Sequence, residues 1–222
     1  MSLLLNIDTA LSTASVSLSD NDAVISIYEN ANQKDHSSWL HSTIKRIFSE
    51  TNHDIRHLNA VSVNTGPGSY TGLRVGLSAA KGISYALQIP LVTVNSLELA
   101  AFAVQKEAED IICAAIDARR QEIYTALYNK NIDEVNTPAA VTIDNNSFSE
   151  VLSKHKILFC GNANSKLKGL INNVNAHFSD TIAGAKQMAE ISFRRFLNKN
   201  FADLVNTEPL YLKSAYVTGH DN

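Results

Sequence analysis

A glycine-rich loop is the first stretch of this sequence whose residue types could do chemistry. Gly66-Pro67-Gly68 follows the apolar run 60–64 and precedes a helical pattern, and backbone N–H groups at the start of a helix attract anions. The spacing nevertheless misses both phosphate fingerprints, because Thr71 stands where the P-loop and the dinucleotide motif each require a glycine. A generic anion pocket stays open as an alternative.

Histidine pairs are the second candidate for chemistry, as metal ligands. His36 and His41 are five residues apart, which turns them away from each other on a helix, whereas two ligands of one metal need a spacing of three or four. His53 and His57 have the right spacing, but no glutamate lies between them as in a zinc protease. These spacings predict no metal site. The G-x-S-x-G elbow of a hydrolase is also missing, so we predict no cofactor and no self-contained catalysis.

The glycine loop belongs to a strand, helix and strand unit that spans 60–94. The run 60–64 is β-branched and apolar, Pro90 closes the helix, and a second apolar run starts at Leu91, so the pattern predicts two parallel strands. Gly72, Gly76 and Ala80 are four apart, which makes a smooth helix face that another backbone could approach closely. Internal glycines cost about 1 kcal/mol each, so this face needs a packing partner, either within the domain or on another molecule.

The chain begins with a predicted three-stranded meander: strands at 3–8, 15–18 and 23–28. A first amphipathic helix is predicted from Ser37 or Ser38 to about Glu50, with an apolar stripe at Leu40, Ile44 and Ile47. A further helix is predicted from 97 to about 106.

The second half repeats the beginning of the first. The run 112–117 matches 3–8 at an offset of 109 residues, and 123–128 reads as another returning strand. We therefore predict two similar α/β lobes, 1–106 and 107–222. A strand is predicted at 157–160, and a helix at 185–198 is predicted to cover the second sheet. The stretch 129–148 carries no clear signal.

Composition excludes several functional classes. With 222 residues and 45% hydrophobic residues the chain can build a real core, and no apolar run is long enough for a membrane span. We expect a cytoplasmic protein.

Cys113 and Cys160 lie in apolar runs without a partner, which is typical of buried inert thiols. The net charge of −3 and the isolated pairs Arg119-Arg120 and Arg194-Arg195 disfavour autonomous nucleic-acid binding, and solvated charge is the simpler interpretation of both pairs.

The run GPGSYTGLRVG, residues 66–76, resembles the signature of the TsaB (YeaZ) family, which acts in making threonylcarbamoyladenosine in tRNA. The resemblance extends to the opening LLLNIDTA, to His36-Ser37, to DARRQEIY at 117–124 and to PLYLK at 209–213. It implies a duplicated ribonuclease-H-like fold of the actin, Hsp70 and sugar-kinase superfamily. It also implies a non-catalytic scaffold that docks and activates the catalytic subunit TsaD, with the ATPase TsaE in the larger complex, a homodimer when alone, and tRNA contact only through the complex.

Many members of that superfamily bind ATP, with glycine in the first hairpin turn and an aspartate that holds Mg²⁺ through water. Here the turn at 9–13 lacks glycine, and Arg119-Arg120-Gln121 occupies the second turn. We therefore expect at most a vestigial nucleotide cleft at Asp8, Asp117 and Arg119. The alternative for both aspartates is a structural role, bonding nearby backbone or hydroxyl groups at strand ends.

The resemblance further implies that the first two helices form the docking face. The predicted partner-binding residues are Leu40, Ile44, Ile47, Gly72, Gly76, Ala79, Ala80 and Ile83. The competing hypothesis is an active enzyme of the same superfold, either an ATP-dependent phosphotransferase or a peptidase, and Asp8 is its only positive feature.

Overall fold

The structure, a computed structural model, describes residues 1–32 and 35–213. Its strands are β1 Leu3–Asp8, β2 Ala14–Asp20, β3 Ala23–Asn30, β4 Ala60–Asn64, β5 Leu91–Val94, β6 Ile111–Asp117, β7 Glu122–Tyr128, β8 Glu134–Thr142, β9 Ile157–Cys160 and β10 Ala176–Phe178. Its α-helices are α1 His36–Thr51, α2 Tyr70–Leu87, α3 Ser96–Ala103, α4 Ser149–Leu152, α5 Asn164–Lys168 and α6 Ala185–Leu197. A short 3₁₀ helix, Ile55–His57, follows α1.

Two five-stranded sheets share one strand order. The first runs β3-β2-β1-β4-β5 and the second, read from its corresponding edge, runs β8-β7-β6-β9-β10. In each, the first strand pairs antiparallel with the returning strand and parallel with the crossover strand. The meander, the parallel β4 and β5 pair and the repeat are thus confirmed, and β8 lies in the stretch without predicted elements.

The first sheet is covered on both faces, as its buried central strand requires. Leu3, Leu5 and Ile7 point to one face, where they pack with apolar residues of α1 and α2. Leu4 points to the opposite face, where it packs with Phe193 and other residues. Since successive side chains of a strand alternate between faces, this run of apolar residues serves two cores.

The final helix of each half covers the sheet of the other half. Leu97 and other residues of α3 pack on Ile112 and Ile116 of the second sheet, whereas α6 contacts β1 to β5 of the first sheet. The prediction that the helix at 185–198 covers the second sheet is therefore wrong. Its apolar stripe predicts burial against a sheet, but nothing in a stripe specifies which sheet. The lobe boundary between 106 and 107 stays a prediction.

Hydroxyl groups fasten α6 to the first sheet. Ser17 Oγ donates to the carbonyl of Ala185 at 2.8 Å, and the Ala185 N–H donates to Ser15 Oγ at 2.8 Å. Further along the helix, Ser192 Oγ donates to Ser62 Oγ at 2.7 Å. These groups are buried, so the hydrogen bonds between them offset the cost of removing them from water.

After α6 the chain forms a C-terminal strap, residues 199–213, that runs back along α2. The Ala202 N–H donates to the carbonyl of Leu91 at 2.8 Å, and the Leu210 N–H donates to the carbonyl of Thr65 at 2.8 Å. At its end Lys213 pairs with Glu122 of the second sheet. The strap thus contacts both sheets. No helix in the described residues combines the length and apolarity needed to cross a membrane.

Candidate functional site

The first hairpin turn lies directly against the start of α2. Thr9 Oγ1 donates to the carbonyl of Gly72 at 2.6 Å, and the Ser69 N–H donates to the carbonyl of Ala10 at 2.7 Å. The Gly72 N–H is bonded in turn to Ser69 Oγ. Thr9 and Ala10 are fully buried, and the N–H groups of Ser69 and Gly72 at the start of α2 both have hydrogen-bond partners within the protein. This arrangement does not favour the anion pocket that the glycine loop suggested.

Close approach of this turn explains the glycines. A Cβ atom on Gly68 would lie 2.2 Å from the carbonyl oxygen of Ala10, and one on Gly72 would lie 2.1 Å from that of Thr9. A Cβ on Gly76 would lie 2.3 Å from Thr9 Oγ1. Of the two partners left open for this helix face, the structure places the internal one there for Gly72 and Gly76.

Asp8 is buried beneath the same turn. Its Oδ1 accepts hydrogen bonds from the Ala10 N–H at 3.0 Å and from Asn64 Nδ2 at 3.1 Å. Burial nevertheless raises the pKa of the Asp8 carboxyl to about 6. The carbonyl oxygen of the Asn64 side chain accepts from the Gly66 N–H and from Ser96 Oγ. These contacts fit the structural alternative for Asp8, since its carboxylate bonds backbone and side-chain groups at a strand end.

Asp117 occupies a different environment in the second hairpin turn. It is exposed, its Oδ1 accepts from the Arg119 N–H at 2.6 Å, and Lys166 Nζ lies 2.6 Å from the same atom. Lys166 also donates to the carbonyl of Arg120, so a residue not predicted from the sequence holds this turn. Arg119 and Arg120 both have positive φ angles, 69° and 50°.

Seven of the eight predicted partner-binding residues are buried within the chain. They are Leu40, Ile44, Ile47, Gly72, Gly76, Ala79 and Ala80; Ile83 is half-buried. The apolar stripe of α1 packs into the core of the first sheet, and the small residues of α2 lie against that sheet and the Thr9 turn. These positions therefore expose little apolar area in the isolated chain, and their role in partner binding stays a prediction. Ile44 and Ile83 do reach a surface cleft.

The cleft lies between α1, α2 and the 3₁₀ helix and has a volume of about 630 Å³. Its lining consists of His41, Ile44, Lys45, Phe48, Ser49, Asn52, His53, Asp54, Ile55 and Ile83. Apolar side chains from α1, the 3₁₀ helix and α2 thus meet polar and charged neighbours. Such a lining is typical of a surface that binds a protein side chain or a small apolar group.

The outward side of α2 carries a second row of small residues next to this cleft. Ser78, Gly82 and Ala86 follow one another at intervals of four and are exposed. A Cβ atom on Gly82 would meet no atom of residues 1–32 and 35–213 within 4 Å. Spacing alone did not distinguish this outward row from the buried row at Gly72, Gly76 and Ala80, because both have small residues four apart.

Comparison with known proteins identifies relatives over most of the chain. A family model described as "TsaD: tRNA N6-adenosine threonylcarbamoyltransferase" matches residues 27–207. The tRNA threonylcarbamoyladenosine biosynthesis protein TsaB of Bacillus subtilis is 31% identical over 219 residues, which cover 96% of this chain and 94% of that protein.

The chain belongs to the TsaB family. The TsaB protein of Buchnera aphidicola (strain APS) is 32% identical over 136 residues, which are 60% of this chain and 60% of that relative. The similarity to that TsaB protein therefore spans about three fifths of its length.

The structure of YeaZ from Pseudomonas aeruginosa has the same fold, with a TM-score of 0.82 at 21% identity. The match covers 96% of this chain and all of that one. The predicted duplicated ribonuclease-H-like fold with two α/β lobes, as expected of a TsaB family member, is confirmed.

Proposed function

We propose that this chain takes part in tRNA threonylcarbamoyladenosine biosynthesis as a non-catalytic subunit that docks and activates the catalytic subunit TsaD. The single observation that carries the docking role is the cleft between α1 and α2, next to the outward row of small residues on α2. When TsaD is docked in this cleft, it covers the half-buried Ile83 and approaches the backbone at Gly82. The other components are the ATPase TsaE in the larger complex, and tRNA that is held through the complex.

The geometry at Gly82 supports close contact between helices. Within the part of the chain that the structure describes, no atom lies within 4 Å of a Cβ added at Gly82, and its exposed neighbours Ser78 and Ala86 have small side chains. A partner helix can therefore approach the α2 backbone more closely than the usual separation of about 8–10 Å between packed helices. In the absence of TsaD, α2 of a second copy of this chain can make the same close approach. This gives a homodimer with a two-fold axis near Gly82.

The absence of a catalytic role is supported by the first hairpin turn. In a nucleotide-binding relative this turn must leave room for phosphate, whereas here Thr9 and Ala10 are buried against Gly72 and Gly68. The neighbouring Asp8 is buried, and its Oδ1 already accepts two hydrogen bonds. Asp8 is only 3% exposed, which does not favour binding of Mg·ATP at that carboxylate.

The docking role is tested by sedimentation of the chain with TsaD. Gly82→Arg places a long charged side chain where the two backbones meet, and we expect it to weaken both the TsaD complex and the homodimer strongly. Gly169→Arg is the matched control, because Gly169 is also exposed and its added Cβ makes only ordinary contacts of 3.6 Å or more. Unchanged assembly of a folded Gly82→Arg variant would place the docking surface elsewhere.

An active phosphotransferase or peptidase is the second candidate, favoured by the raised pKa of Asp8 near 6, which suits a general base. Calorimetric titration with Mg·ATP separates the two candidates. Micromolar binding, or ATP turnover that Asp8→Ala abolishes, would support the enzyme and contradict the scaffold.

A further inference from the structure

An arginine at the start of α2 is held rigidly at the surface. The guanidinium of Arg74 lies 4.0 Å from the ring centroid of Tyr70, and its Nε donates to the hydroxyl of Tyr211 at 3.0 Å. The two tyrosine rings lie 5.3 Å apart at a tilt of 34°. Tyr211 belongs to the C-terminal strap, so the strap and α2 together fix the position of this side chain.

A second tyrosine and arginine stack in the same chain shows what Arg74 lacks. On α1 the guanidinium of Arg46 lies 4.5 Å from the ring centroid of Tyr28. Its Nε also pairs with Glu50 at 2.6 Å, and Tyr28 bonds the same carboxylate. Arg46 is thus a stacked arginine with its carboxylate in place.

Arg74 has no carboxylate within ion-pair distance among residues 1–32 and 35–213. Glu208, on the strap, acts on the Arg74 charge only at longer range. With Nε bonded to Tyr211 and one face of the guanidinium on Tyr70, the terminal nitrogens have the fork geometry that binds a carboxylate through two parallel bonds. Because the side chain is already ordered, less conformational entropy is lost when an anion binds.

We infer that Arg74, fixed by Tyr70 and Tyr211, recognises a carboxylate side chain of the protein partner that docks on α2. Arg74 lies one helical turn from Ser78, the first of the outward small residues, so the carboxylate site is continuous with the docking face. Exposed Tyr70 and Tyr211, at 44% and 40%, provide the aromatic surroundings that are enriched at the energetic centres of interfaces. This inference rests on the proposed function, because it needs a partner on that face.

Calorimetric titration of TsaD with variants of this chain, at several salt concentrations, tests the inference. We expect Arg74→Ala to weaken TsaD binding by about tenfold or more and to reduce its salt dependence. Arg74→Lys keeps the charge but not the fork, so about fivefold weaker binding is expected. Tyr211→Phe keeps the ring and frees Nε, with a loss of about threefold. Arg46→Ala is the matched control. It should change the affinity for TsaD by less than about twofold, because Arg46 already pairs with Glu50 of its own chain.

Three outcomes separate the hypotheses. If the unaltered chain does not bind TsaD, the proposed function and this inference are both wrong. If it binds and the folded Arg74→Ala variant binds equally well, only the inference is overturned. If Arg74→Ala leaves TsaD binding intact but weakens tRNA binding by the assembled complex, the anion is an RNA phosphate and the carboxylate assignment is wrong. Circular dichroism and urea unfolding of each variant identify any loss that comes from misfolding.

Discussion

The side chain of Thr9 and the backbone of Gly72 are joined by a buried hydrogen bond of 2.6 Å between Thr9 Oγ1 and the Gly72 carbonyl. The bond fixes the first hairpin turn on the start of α2. Because a Cβ on Gly72 would lie 2.1 Å from the carbonyl oxygen of Thr9, only glycine leaves this contact intact. The glycine-rich signature therefore serves the interior of the protein at this position.

Two glycines of α2 should respond oppositely to alanine. Gly72→Ala forces the turn away and should lower the free energy of unfolding by about 2–3 kcal/mol, as overpacking does. Gly82→Ala meets open space and should raise it by about 0.5–1 kcal/mol through better helix propensity. Urea unfolding of both variants measures the difference. Equal effects would mean that Gly72 does not lie against the turn.

Replacing Asp8 should reveal a pH-dependent penalty. The folded-state pKa of Asp8 is raised from 3.8 to about 6. The contribution of the protonated carboxyl to the free energy of unfolding is therefore complete below pH 4 and is lost as the pH rises through 6. Asp8→Asn should therefore match the unaltered chain near pH 4 and exceed its stability by up to about 3 kcal/mol near pH 8. Denaturant unfolding across this range measures the gap. A gap that does not change with pH would contradict the assigned burial.

Two adjacent arginines of α6 should differ in their contribution to stability. Arg195 pairs with both carboxylate oxygens of Glu98 on α3, at 2.7 and 2.6 Å, and bonds the carbonyl of Thr93. Because this pair is largely shielded from solvent, Arg195→Ala should cost about 1–3 kcal/mol of unfolding free energy. Arg194 pairs with Glu190 at the surface, so Arg194→Ala should cost less than about 1 kcal/mol. Thermal and urea unfolding of the two variants test this contrast, and equal losses would argue against the bridge between α3 and α6.

The isolated chain should bind tRNA weakly and without specificity. Its net charge is −3, and several of its lysines and arginines are paired with carboxylates in the described residues. We expect a dissociation constant weaker than about 10 μM at physiological salt, with further weakening as salt rises. Gel shifts across a salt series measure it. Tight binding by this chain alone would overturn the scaffold role and direct attention to Arg119 and Arg120.

The sequence predicted local elements better than it predicted their partners. The run 3–8 and its repeat at 112–117 indicate buried strands, because apolar residues occupy both faces. The apolar stripe of α6 does not indicate which sheet the helix covers. The helix packs on the sheet of the other half through contacts far apart in sequence, such as Ser192 with Ser62. The solvated interpretation of Arg195 was wrong for the same reason.

The candidate site shows a similar limit. Small residues four apart predict a smooth helix face, but both Gly76 and Gly82 belong to such a row, and only the position of Thr9 distinguishes the buried row from the exposed one. Leu40 and Ile47 form the stripe that the sequence predicts, and that stripe is the core side of α1. A docking surface is read from what the core leaves exposed, which requires the tertiary structure.

Hydrogen exchange of this chain with and without TsaD tests the central claim most directly. If TsaD docks on the cleft between α1 and α2, amides in 36–57 and 70–89 should exchange more slowly in the complex, whereas those of β7 and β8 should exchange at unchanged rates. Slower exchange confined to β7 and β8, or no change anywhere despite a stable complex, would contradict the docking surface proposed for this chain.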